Sequence, residues 1–336
     1  MQYNLLPADR KQYKANLHMH TCISDGEMTP EEVRRRYMEQ GYSVVAFSDH
    51  EVMVPHPELT DENFLALTSY EVFVNEPKKD VYSHLGTYHF NLFAPELRTE
   101  YSSVFNERYI WKTIAHAKAY VTDEARKAAY ERKYDTDSLN DLIARANADG
   151  FLVCYNHPVW SSHDFTNYGG LKGLWGVECF NTGCALVGLP DTDRPLDDLL
   201  KRGERVFPVA SDDAHEKQDC FGGFVMICAE KLDYPGIFAA LKNGDFYASC
   251  GPLISALSLK DGTVHIETTD AQSIALNTDC RTSRMVRSTN GTPLRSADFD
   301  LKEFLADARS ETFFRLTVTD PTGKKAYTRA YFADEL

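Results

Sequence analysis

Two histidines separated by one residue, His18-Met19-His20, are followed by the run Thr21-Cys22-Ile23-Ser24-Asp25-Gly26. On a β-strand residues i and i+2 share a face, so both imidazoles can grip one cation. Asp25, on the turn that follows, adds a carboxylate. Imidazole with carboxylate suits borderline divalent metals such as zinc, manganese or iron. Such a pair alone also occurs in ordinary half-buried strands. Here the same chemistry recurs along the chain, at Ser48-Asp49-His50, Glu71, His89, Asn156-His157-Pro158, Glu178 and Asp212-Asp213-Ala214-His215.

The elements that must position these groups alternate between strand and helix over the first two-thirds of the chain. Residues 15–20 read as a strand. Thr29-Pro30-Glu31-Glu32 opens a helix with an N-cap threonine, proline at N1 and early acids, and Gly41 closes it. Residues 43–47 form a buried strand ending at Ser48-Asp49-His50. Residues 64–69 lead to Glu71, and residues 87–93 contain His89. A helix over 138–148 closes at Gly150, and the strand 151–155 ends at Asn156-His157. Residues 173–179 bring Glu178 near their end. A short helix over 196–201 precedes the strand 206–210, which ends at Asp213 and His215. There are thus about seven candidate strands, and nearly every one ends in a histidine or an acid. In βα barrels chemistry collects at one mouth, where the strands' C-terminal ends meet, so this pattern predicts a metal-centred α/β barrel.

Residues from about 96 to 136 are polar and rich in tyrosine and charge, with weak helical periodicity, and read as a helical insertion or lid. Its aromatics pack its own helices in the simplest reading. Beyond residue 250 the texture becomes short alternating runs (263–268, 272–276, 313–318) with a turn at Asp320-Pro321-Thr322-Gly323. The expected division is a barrel over 1–250 and a small all-β, sandwich-like domain over 251–336.

Across 336 residues the hydrophobic fraction is 43%, the charged fraction 26% and the formal net charge -14. That acidity argues against stable binding of duplex nucleic acid. No apolar run reaches the length of a membrane span, and Met1-Gln2-Tyr3-Asn4-Leu5-Leu6-Pro7 lacks a signal-peptide layout. The eight cysteines, scattered without C-x-x-C pairs, read as reduced and mostly buried thiols. The expectation is a cytoplasmic protein without a membrane partner, with room for a homo-oligomer.

Taken in order, His18-Met19-His20-Thr21, Ser24-Asp25-Gly26, Ser48-Asp49-His50, Glu71, Asn156-His157-Pro158 and Asp213-Ala214-His215 resemble the PHP (polymerase and histidinol phosphatase) family. The segment 240–249 is similar to stand-alone bacterial PHP phosphoesterases with a C-terminal β-domain. The resemblance implies a distorted (β/α)7 barrel holding two or three divalent ions (zinc, manganese or iron) at its mouth. By that resemblance His18 and His20 bind one metal with Glu71 and Asp213. Glu71 bridges to a second held by His89 and His157, and Asp25, His50 and His215 hold a third. His84 competes with His89, and Asp212 with Asp213. Asp49 is expected to orient a ligand, while Glu178 is open between orienting, substrate contact and plain burial.

The implied chemistry is hydrolysis of a phosphate monoester or small phosphodiester on a small phosphorylated substrate, by a metal-bridged hydroxide. Paired cations lower the pKa of a bridging water from about 15.7 toward neutrality. His215 or His163 would supply the leaving group's proton. Some relatives carry an arginine after the His-Pro pair. Here Val159-Trp160-Ser161-Ser162 follows, which leaves Lys172, Arg194 or the insertion as candidate phosphate anchors. The competing functions are hydrolysis of an amide or carbamate by the same metal chemistry, and a non-catalytic metal-binding module.

Overall fold

A computed structural model describes residues 2–7, 9–77, 86–98, 100–189 and 191–336. One continuous sheet carries the first two-thirds of the chain. Strands β1 (Lys11–Asn16), β2 (Tyr42–Phe47) and β3 (Leu65–Asn75) run parallel. Next to β3 lies β4 (Thr87–Phe93), antiparallel both to it and to β5 (Leu152–Tyr155). The sheet then continues in parallel through β6 (Gly176–Asn181) to β7 (Phe207–Ser211). On its other edge β1 pairs antiparallel with β8 (Phe224–Ala229), and β8 with β9 (Phe246–Ser249).

Two features depart from a regular (β/α)7 barrel. First, β4 is reversed. The connection from Asn75 to Thr87 is shorter than the dozen or more residues, roughly, that a parallel crossover needs. Second, no ladder joins β7 to β1 among the described residues. At the rim, an isolated parallel bridge between Met19 and Ala214 links the segments that follow β1 and β7. There the His20 amide donates to the Ala214 carbonyl (3.1 Å) and the Asp213 amide to the His18 carbonyl (3.0 Å). Gly223 lets β8 enter beside β7, since a Cβ there would collide with the Ser211 backbone.

Helices cover the sheet where the sequence signals place them. Helix α1 (Pro30–Glu39) starts at the Thr29 cap, whose hydroxyl accepts from the Glu32 amide, and buries Val33 and Tyr37. Helix α2 (Thr136–Ala148) is capped by Asp135 and buries Leu139, Leu142, Ile143 and Ala146. Helix α3 (Arg194–Lys201) turns Leu196, Leu199 and Leu200 inward, and α4 (Tyr234–Asn243) ends at left-handed Gly244. Each fully buried leucine here contributes about 1.5–3 kcal/mol.

The insertion expected as helices is instead a chain of 3-10 turns, at Glu107–Tyr109, Lys112–Tyr120 and Ala125–Lys127. Burial of Ile114, Ala117, Val121 and Ala125 fixes its inner side. A buried ion pair clamps it. Arg132 Nη2 lies 2.8 Å from Glu51 Oε2, and its Nη1 also donates to the Phe73 carbonyl at 3.0 Å.

Past β9 the chain builds a second core. Strands β10 (Ile254–Lys260), β11 (Thr263–Ala271) and β14 (Leu294–Asp300) form one sheet with the N-terminal strand Gln2–Asn4. Strands β12 (Ser273–Thr278), β13 (Arg284–Arg287), β15 (Phe313–Thr319) and β16 (Lys325–Thr328) extend the large sheet beyond β9. Leu257, Ile266, Leu276, Phe299, Leu316 and Val318 pack between the two, together with Leu5 and Leu6. The first residues of the chain therefore pack with the last third. Buried Arg315 ties the two parts, with Nη2 2.6 Å from Asp193 Oδ2 and Nε 2.7 Å from Asp197 Oδ1.

Candidate metal centre

The segment after β1 keeps the alternation of a strand. His18 and His20 point to one side and are fully buried, while Met19 packs on the other among Met28, Val33 and Tyr37. The imidazoles converge, with Nε2 atoms 3.1 Å apart. Each Nε2 also lies 3.1 Å from Asp213 Oδ1. Donor atoms about 2.0–2.1 Å from a zinc-type ion are spaced on this scale.

Glu71, near the middle of β3, is the hub. Its Oε1 is 3.1 Å from His89 Nδ1, 3.3 Å from His18 Nε2 and 3.5 Å from His157 Nε2. Its Oε2 is 3.1 Å from His50 Nδ1 and 3.4 Å from His20 Nε2. The reversal of β4 explains why His89 sits near the start of its strand and still reaches the mouth: an antiparallel strand begins where its neighbours end. Toward the opening, Asp25 approaches His215 Nε2 (3.6 Å), His50 Nε2 (3.8 Å) and His20 Nδ1 (3.8 Å).

Three groups of donor atoms are close enough to share an ion: His18, His20 and Asp213; His50, Glu71 and His89; and His20, Asp25, His50 and His215. The residues fit a metal centre by a second criterion. Nδ1 of His20, His50 and His157 and Oε2 of Glu71 are buried without hydrogen-bond partners, which is costly for polar atoms that nothing else satisfies.

The charges suit the same reading. Burial, reinforced by neighbouring imidazoles, lowers His20 and His50 to about 3 and keeps them neutral. Burial opposes ionisation of Glu71 and Asp213, but the surrounding histidines outweigh it and hold both well below the usual carboxylate range. Burial likewise opposes protonation of His18, yet Asp213, Glu71 and Glu178 raise it.

Around these groups a layer of hydrogen bonds fixes orientation. Glu178 Oε1 lies 2.8 Å from His18 Nδ1 and accepts from the Ser211 hydroxyl, while Oε2 accepts from the His157 amide (2.9 Å) and Asn181 (3.0 Å). Asp49 accepts from the Thr21 amide (2.8 Å) and the Ser24 hydroxyl (2.7 Å), pinning the loop that carries His20 and Asp25. Gly26 lets that loop fold under His20, where a Cβ would meet the His20 carbonyl. Asp212 is occupied by the amides of Phe221, Gly222 and Gly223 and by Tyr37 and Thr182, so Asp213 alone of that pair faces the cluster. Left-handed backbone recurs at Glu51 (φ 61°), His157 (φ 27°) and Asp213 (φ 53°), at about 1–3 kcal/mol each.

Other expected residues lie apart. Both ring nitrogens of His163 meet tyrosine hydroxyls, Tyr155 at 2.6 Å and Tyr134 at 2.9 Å, and it does not line the cavity. Neither Lys172 nor Arg194 lines it, and Arg194 pairs with Asp198. His84 falls outside the described residues. The cavity, about 650 Å³, is lined by Asp25, His50, Glu71, His89, His157, Asp213 and His215, and also by Phe73, Trp111, Trp160 and Val187. Trp111 is one of the insertion's aromatics, expected chiefly to pack its helices, whereas Asn181 and Ser211 carried no expectation. Nothing in their local context distinguishes them from packing or loop residues.

The PHP domain family matches residues 16–222. No curated protein matches the chain. Among solved structures, it is similar to a two-domain protein containing a predicted PHP-like metal-dependent phosphoesterase from Bacteroides vulgatus. That match has 14% identity, covers 97% of this chain and 96% of the other, and has a TM-score of 0.44. A putative metal-dependent phosphoesterase from Bifidobacterium adolescentis matches at 17% identity, over 61% and 88% of the two chains, with a TM-score of 0.37. An amidohydrolase from Chromobacterium violaceum with bound sulfate matches at 15%, over 60% and 88%, with a TM-score of 0.40. With the family's pattern covering the segment that carries every one of these converging histidines and acids, the chain belongs to the PHP domain family.

Proposed function

We propose that the protein is a metal-dependent hydrolase of phosphate esters. The observation that carries this reading is the Glu71 carboxylate, buried and within 3.5 Å of a nitrogen from each of five histidines: His18, His20, His50, His89 and His157. His20 and His50 each fall in two of the three donor groups. By the family resemblance, His18, His20 and Asp213 would hold one cation, His89 and His157 a second, and Asp25, His50 and His215 an outer one, with Glu71 shared by the first two. When bound, divalent cations supply a hydroxide nucleophile at neutral pH and offset charge on phosphoryl oxygens.

The chain's own groups prepare that chemistry. Glu178 fixes the proton of His18 on Nδ1 and leaves Nε2 free to coordinate. Asn156 Nδ2 donates to Glu71 Oε1 at 2.7 Å and holds that carboxylate in place. His215 turns Nδ1 to the Asp213 carbonyl (3.1 Å), which leaves Nε2 toward Asp25 and the opening. With the outer site empty, that Nε2 holds the proton for the leaving oxygen; with it filled, His215 is a ligand. His163, tied to two tyrosines, is assigned no chemical step.

The test is phosphate release from a panel of phosphomonoesters and small phosphodiesters, using protein supplied with manganese or zinc. Release that chelation abolishes and metal restores is the expected result. No release from any member, alongside turnover of a carbamate or amide, would replace this reading with the amidohydrolase one.

A further inference from the structure

Beyond the metal-binding groups, one part of the cavity wall is aromatic, while Asn75, Glu216, Gln218 and Asp219 keep another part polar. Trp111, from the insertion, stands 5.0 Å from the His50 ring and 5.5 Å from Phe73, centre to centre. Trp160, after β5, stands 5.0 Å from His157 and 5.4 Å from His89. Phe73, Trp111, Trp160 and Val187 all line the cavity. Packing alone does not account for this wall, because Trp160 is 49% and Val187 72% exposed. A group bonded to a phosphoryl centre at Glu71 would therefore leave the cluster beside two indole rings.

We propose that the ester group of the substrate is flat and apolar, and that Trp111 and Trp160 bind it. This rests on the phosphate-ester reading and narrows it to arylmethyl-type or comparable esters of uncharged aromatic alcohols. In the reaction water's oxygen bonds to phosphorus, the phosphorus–ester oxygen bond breaks, and the alcohol leaves with one proton from the water. An aromatic group lost from such a wall forfeits both buried area and ring–ring contact.

The experiment compares benzyl phosphate with ethyl phosphate, whose alcohols are of similar basicity, on manganese-loaded protein. In parallel, calorimetry compares benzylphosphonate with methylphosphonate, neither of which can be hydrolysed at the carbon–phosphorus bond. The expected result is a preference of roughly tenfold or more for the benzyl member in kcat/KM and in affinity. In Trp160→Ala, changed at an exposed position, and in Trp111→Ala/Trp160→Ala, that ratio falls toward one. A ratio near one in the unaltered protein, or an unchanged ratio in the double variant, would overturn the proposal. Absence of turnover with both phosphates would count against the phosphate-ester reading instead, and the phosphonate affinities would still decide the role of the tryptophans.

Discussion

At the scale of the residue, the site depends on groups that never meet a substrate. Glu178 holds His18 by one oxygen and the His157 backbone by the other. Its replacement, Glu178→Gln, is expected to weaken metal binding by about 10–100-fold with little loss of fold, measured by competition with a chromophoric chelator. His163 gives a separate prediction. Burial, aided by the charges of His157 and His89, lowers it to about 4, so the folded ring stays neutral where the unfolded one, near about 6.5, takes a proton. The unfolded chain then binds more protons between those values, and stability falls as pH drops from about 6.5 toward 4. His163→Gln is expected to flatten that part of the profile of unfolding midpoint against pH; an unchanged slope would remove His163 from the account. The ligand types and their spacing were readable because strand alternation and the Asp-x-His pattern are local. The partners of Glu178 were not: Ser211 meets it only through the packing of β6 against β7, and Asn181, on the same strand, meets it where the ladder shifts register between Glu178 and Phe180.

At the scale of the element, a buried ion pair helps to hold the insertion. Arg132 and Glu51 lie 81 residues apart and are both almost wholly buried. Breaking such a pair from one side costs about 3–5 kcal/mol, because the other charge stays behind unpaired. Arg132→Met is therefore expected to lower stability by about that amount in urea unfolding. Glu51→Gln/Arg132→Met should lose less than the sum of its single changes. The same clamp anchors the insertion beside Phe73 and so places Trp111, which the weak periodicity of residues 96–136 did not reveal. The reversal of β4 was also hidden from a reading by strand ends, although the short link before Thr87 is its physical signal. Helix boundaries were more legible: Thr29 with Pro30 opens α1, and α2 ends just before Gly150.

At the scale of the whole molecule, a chain of net charge -14 gathers buried carboxylates and imidazoles around Glu71. Binding of cations to the folded form alone raises stability by mass action, so chelation is expected to lower the thermal midpoint and added metal to restore it. A midpoint unmoved by either treatment would separate the cluster from the fold's stability. The alternating runs after residue 250 foretold a β-rich region, but the pairing of Gln2–Asn4 with β10 was invisible, because it joins opposite ends of the chain. The central claim is that Glu71 lies between cations held by the surrounding histidines and acids. Elemental analysis of protein purified without chelator, beside Glu71→Ala folded to the same extent, tests it most directly. Two or three equivalents of divalent metal are expected in the parent and less than one in the variant; a parent below one equivalent that added manganese or zinc does not raise, or a variant that keeps the parent's content, would show that Glu71 does not lie between bound cations.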